Sequence, residues 1–174
     1  MKPPLPTSNG FWLLTSAYLD AGDAVFLRLH AKDYVGFMER ACFFLYFRSI
    51  ELALKALLVF HGVPQRGIER KLGHRVSCLL VRVESFVPMS KLGIAADDRK
   101  LLDLFSDQYS EKWFEYSEDF WRNRNRDRPE LPRLRDLAKR VHDKMRPYER
   151  EAMNIIRPSA TATVGSRGSS RTIR

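Results

Sequence analysis

The chain has 174 residues, with 30 Lys and Arg against 21 Asp and Glu, a formal net charge of +9 and 44% hydrophobic residues. That length suits one domain with a core of its own, without covalent or metal staples. The two cysteines, Cys42 and Cys78, fall in apolar helical patterns without paired-ligand spacing, which argues against a disulfide framework or a zinc site and for small buried hydrophobes in a reducing compartment.

The opening residues, MKPPLPTSNG, hold no apolar run before their prolines, so no signal peptide is expected and the default location is the cytoplasm. Thr7, Ser8 and Asn9 then offer N-caps to a first helix. Phe11, Leu14, Tyr18, Ala21 and Val25 follow at helical spacing, and the helix is expected to run to Leu29 or His30. Gly22 inside it marks either a weak point or a close approach of another chain segment.

A second helix is expected from about Asp33 to His61, and the rest of the chain is organised around it. Its core, Ala41 to Phe60, reads ACFFLYFRSIELALKALLVF, in which only Arg48, Glu51 and Lys55 are charged. Those three stand at offsets of three and four, so a helix draws them into one line. All other faces are apolar or small, as in a helix wrapped by neighbours. A membrane span is the alternative, but Arg and Lys near its middle would each cost about 2.5–3.5 kcal/mol. The stretch therefore reads as the central helix of a bundle carrying one polar seam. Two readings of the seam stand: an ion pair holding helices in register, or a line facing a groove, ligand or partner subunit.

Gly62, Val63 and Pro64 stop this helix, and Gln65 to Leu72 reads as a basic loop. Gly73 and His74 open a third helix with Val76, Leu79, Leu80, Val83 and Val87 on one face. Pro88 to Gly93 breaks it. Asp97 or Asp98 caps a fourth helix, in which Leu101, Leu104, Phe105 and Gln108 are expected to face one way, ending near Trp113. Phe114 to Pro132 is aromatic and then arginine-rich, the pattern of an irregular surface connection. Tyr109 and Trp113 just before it, and Tyr116, Arg122 and Arg124 within it, are candidates for RNA stacking and phosphate contact, or for an interface between subunits, and the aromatics could instead finish a core. Pro132 suits the first turn of a fifth helix with the stripe Leu134, Leu137, Ala138, Val141, Met145 and Tyr148, kinked or frayed at Pro147. The expected division is a helical domain over 1–156 and a disordered basic tail over 157–174. The tail holds Arg157, Arg167, Arg171 and Arg174 and no acid; without it, 26 basic residues face 21 acidic ones. A basic body with a basic tail suits a nucleic-acid partner. No strand-like alternation occurs, so the fold class is all-α: an up-and-down bundle of about five helices.

The ordered series Ser49, Glu51, Leu52, Leu54, Lys55, Ala56, Leu58, then Gly62, Gly73, His74, Leu79 and Leu80, resembles the HEPN domain proteins of bacteria and archaea. Tyr109, Phe114 and Tyr116 before a Pro-flanked last helix extend the likeness over roughly Phe11 to Tyr148. The resemblance implies a short helical bundle, usually a homodimer with a cleft between subunits, and no cofactor. Many relatives are metal-independent endoribonucleases, some of toxin–antitoxin type, using an arginine, a following polar residue and a histidine further on. There the histidine helps deprotonate the ribose 2′-hydroxyl and the arginine stabilises the phosphorane. Arg135, Asp136 and His142 satisfy that formula here, and seven positions place Arg135 and His142 on one helix face. Arg122-Asn123 has no histidine within reach, and Glu115-Tyr116 stands where this subgroup often shows Arg-Tyr. Other relatives have lost the motif and bind RNA, nucleotide or protein, and some pair with a small nucleotidyltransferase. His74 is expected near Glu51 or Lys55, as a structural buckle or as a ligand-facing group. Three functions follow as expectations. The first is a module with a degenerate motif that binds RNA, nucleotide or a partner protein. The second is a nuclease using Arg135 and His142. The third is a dimeric docking scaffold for a nucleotidyltransferase-type partner. The sequence shows neither a metal site nor a membrane segment.

Overall fold

The structure, a computed structural model, describes residues 8–29, 37–110 and 130–156. These form six α-helices and one short 3-10 helix: α1 (Ser8–Leu29), α2 (Phe37–Phe60), α3 (Gln65–Lys71), α4 (Val76–Glu84), the 3-10 turn (Met89–Leu92), α5 (Ala96–Ser110) and α6 (Leu131–Ile156). No strand occurs among the described residues, and the fold is an all-α bundle. The basic tail and the aromatic-to-arginine connection, with Trp113, Tyr116, Arg122 and Arg124, lie outside the described residues.

Helix α2 is the axis. All eight residues from Glu51 to Leu58 are buried. At 3.6 residues per turn, that run covers every face of the helix. Helices α1, α6 and α4 pack around it, and α3 closes over its C-terminal end. The stop is hydrogen-bonded as the Gly-Val-Pro pattern implies: Gly62 donates to the Val59 carbonyl and Val63 to that of Leu58.

The α1–α2 seam is the closest. A Cβ at Gly22 would lie 2.7 Å from Cε1 of Tyr46, so Gly22 is a point of close approach. Ser49 donates to the Thr15 carbonyl at 2.9 Å, and the Cys42 thiol lies against the Gly22 carbonyl. The expected face of α1 holds in part: Phe11 is buried and Tyr18 and Val25 pack half-buried against the core, but these small residues shift the deepest line. That line is Phe11, Trp12, Thr15, Leu19 and Gly22, whereas Leu14 is 42% exposed. The deepest line is the one on which small Thr15 and Gly22 let α2 approach.

Three other expectations are corrected. Gln65 to Lys71 is a helix, not a loop, because fully buried Ile68 anchors it to the core while Gln65 donates to Glu69 one turn on. In α5 the inward line is Asp98, Leu102, Phe105, Ser106 and Tyr109, and Leu104 is exposed. Polar groups fix that rotation: the Ser77 amide donates to Ser106, and the Asp98 carboxylate accepts from the Ala95 amide in the manner of a capping box, and from Arg140. Helix α6 runs through Pro147 to Ile156 without a break. Pro147 is exposed, while Tyr148 packs edge-on against Phe60 and His61, and Ala152 is buried beyond it. Packing on both sides of the proline outweighs the one hydrogen bond it forfeits.

Candidate functional site

The seam of α2 becomes a charged centre. Glu51 is fully buried, and its carboxylate is shared by four groups from three parts of the chain. Arg48, one turn before it, donates through Nη1 to Oε2 at 2.8 Å and to Oε1 at 3.0 Å. Lys55, one turn after it, places Nζ 2.5 Å from Oε1. Tyr109 reaches across from α5 and donates its hydroxyl to Oε2 at 2.5 Å. His74 sets Nδ1 3.0 Å from Oε1, donating when that nitrogen carries the proton. Its position depends on Gly73, whose φ of +58° turns the chain back toward α2 where a side chain would be strained.

Electrostatics follow the geometry. Burial opposes the charged form of Glu51, but the His74 hydrogen bond and the Lys55 and Arg48 cations together outweigh it and hold the carboxyl down to about 2. Burial and the adjacent Glu51 charge push the Tyr109 hydroxyl well above the ordinary tyrosine value, so it stays a proton donor. Tyr109, a candidate for surface contact on sequence grounds, is instead a core residue stacked 5.6 Å from Phe47. A buried, fully partnered tyrosine can neither stack a base nor meet a partner.

A groove of about 320 Å³ opens beside this centre. Phe11, Leu14 and Leu52 give it an apolar side; Arg48, Lys55 and His74 give it a polar one, and Gln65, Glu69 and Gly73 close it. Lys55 is nearly buried, whereas the His74 side chain is 54% exposed. Exposed Arg66, Arg70, Lys71 and Arg75 stand around the α3–α4 corner, with Glu69 the one acidic residue of the stretch 65–75.

Arg135 and His142 are placed together on one face of α6, and that face packs on α1. Arg135 donates to Asp23 Oδ1 at 2.7 Å and its guanidinium carbon sits 4.8 Å from the centre of the Phe26 ring. Asp23 also takes Lys139 at 2.8 Å and the Tyr46 hydroxyl at 2.9 Å. Burial opposes its charge, but these hydrogen bonds overcome that and lower its pKa. His142 places Nε2 3.0 Å from the Ser16 hydroxyl and Nδ1 3.6 Å from Asp143. Ser16 and Asp23 are seven residues apart, as are Arg135 and His142, so the four groups join antiparallel helices at two points two turns apart.

The sequence shows the Arg48–Glu51–Lys55 line but does not single out Tyr109 as the fourth partner of Glu51. The available signal was the spacing of Tyr109 from Leu102 and Phe105, which puts a hydroxyl on a core-facing line. Among the described residues, no group of three His, Cys, Asp or Glu is arranged to hold a metal, and no helix is long and apolar enough to cross a membrane. Burial, reinforced by the Glu39 and Asp23 charges, pushes the Cys42 thiol up to about 12, so it is no nucleophile. Comparison with protein-family models, curated proteins and solved structures gives no match.

Proposed function

We propose that this chain is a HEPN-like helical module that binds RNA and leaves it intact. The observation that carries the reading is the α3–α4 corner, where four exposed cations with one acidic neighbour border an open groove. Clustered Lys and Arg on one corner release counterions when phosphates dock, giving affinity without base recognition.

The contacts of Arg135 and His142 support the absence of cleavage. A phosphorane needs an arginine whose charge is free for it, and a 2′-hydroxyl needs a histidine nitrogen open to it. The guanidinium of Arg135 is held by Asp23 and the Phe26 ring, and Nε2 of His142 is taken by Ser16. Both residues thus serve the α1–α6 contact. The test is RNA incubated with the full chain in EDTA, beside Arg135→Ala and His142→Ala. The expected result is intact RNA in all three. Cleavage by the parent that either substitution abolishes would make the protein a nuclease and overturn the reading.

A further inference from the structure

The groove and the basic corner differ in chemistry, and the difference points to what each receives. Inside the groove, Arg48 and Lys55 are offset by Glu51 behind them and by Glu69 on the lining, so the carboxylate and cation charges of its wall nearly cancel. A bare anion gains little there. The wall offers donors and acceptors from Gln65, Glu69 and His74 against the apolar side of Phe11, Leu14 and Leu52. That combination suits a flat, neutral, polar heterocycle. The volume, about 320 Å³, lies at the low end of the roughly 300–1,000 Å³ of small-molecule sites, enough for one such unit.

The cations stand outside. Gln65 and Glu69, one turn apart on α3, line the groove, while Arg66 and Arg70 follow each of them by one residue, on the neighbouring face. One short helix thus carries both the groove wall and the charged rim. Resting on the RNA-binding reading above, we infer that the groove accepts a single unstacked base of single-stranded RNA while the flanking phosphates run along Arg66, Arg70, Lys71 and Arg75. A paired base cannot enter, because its edge and both faces are occupied in the duplex.

The experiment uses the full chain and three fluorescent probes in anisotropy titrations: a single-stranded RNA of about ten nucleotides, the same strand as a duplex, and an abasic ribose-phosphate strand of equal length. The parent should prefer the single strand over both others by about ten-fold or more. Leu14→Trp, at a groove residue already 42% exposed, fills the groove and should abolish that preference while leaving salt-dependent binding to all three. Arg70→Ser with Lys71→Ser should weaken all three probes alike and reduce the salt slope by up to about 2. Equal parental affinity for the three probes overturns the inference while leaving the RNA-binding reading standing, and that comparison needs no variant. So does a folded Leu14→Trp protein that keeps the parental preference. No binding of any probe at about 50 mM salt would overturn the RNA-binding reading itself, and this inference with it.

Discussion

Replacing Glu51 by Gln keeps the length of the side chain and removes the charge that Arg48, Lys55, His74 and Tyr109 share. Lys55, with its side chain only 7% exposed, is then left as a buried cation without its counter-charge. Breaking a buried pair from one side costs about 3–5 kcal/mol. The pKa gives the same scale: a carboxyl moved from 4.5 to about 2 on folding contributes about 3 kcal/mol at neutral pH. Because the folded value is depressed, that contribution is complete above about pH 4.5 and is lost as pH falls toward 2. Urea unfolding at several pH values reads both effects. At pH 7 the Glu51→Gln protein should lose about 3–5 kcal/mol, or about 6–20 °C in melting temperature, and the gap to the parent should narrow below pH 4.5. Adding Lys55→Met removes the stranded cation and should recover part of the loss. A loss below about 1 kcal/mol, or a gap unchanged from pH 7 to pH 3, would show that Glu51 is not the shared counter-charge of this centre.

Other substitutions test other contacts. Gly22→Ala should destabilise by about 1–3 kcal/mol although alanine favours helix by about 1 kcal/mol, because the new methyl meets the buried Tyr46 ring at 2.7 Å; a higher melting temperature would show that the two helices part easily. Tyr109→Phe removes one hydrogen bond from a buried carboxylate and should cost about 1.5–3 kcal/mol in chemical denaturation, with Glu51 protonating at higher pH. Arg135→Ala should lose about 1–2 kcal/mol through its Asp23 and Phe26 contacts, with RNA affinity unchanged. An Arg135→Ala protein as stable as the parent but poorer at holding RNA would move the site to α6.

The parts of the fold that depend on long, dense patterns were legible in the sequence. Ala41 to Phe60 announces a helix buried on nearly all sides, and the spacing of its three charges puts them in one line. The stripe of α6 is equally clear, from Leu134 to Met145. What escaped was set by small residues and by polar partners distant in sequence. Thr15 and Gly22 contribute little apolar bulk, yet they decide which face of α1 meets α2. Tyr109 opens a run of aromatics that suits a core, an interface or an RNA contact equally, and only its 58-residue reach to Glu51 decides for the core. Helix α3 is two turns long with one buried residue, too short for periodicity to reveal. Arg135 and His142 fit a catalytic spacing, but the same two-turn offset serves equally to staple α6 to α1, and the sequence cannot display Asp23 and Ser16 opposite them.

Titrating a labelled single-stranded RNA with the protein at several salt concentrations, and then recovering the strand, is the direct test of the proposal that this chain holds RNA without cutting it. The expected result is an affinity that falls steeply between about 50 and 200 mM salt, and a strand recovered at full length. Affinity independent of salt, absence of binding, or a shortened strand would contradict it.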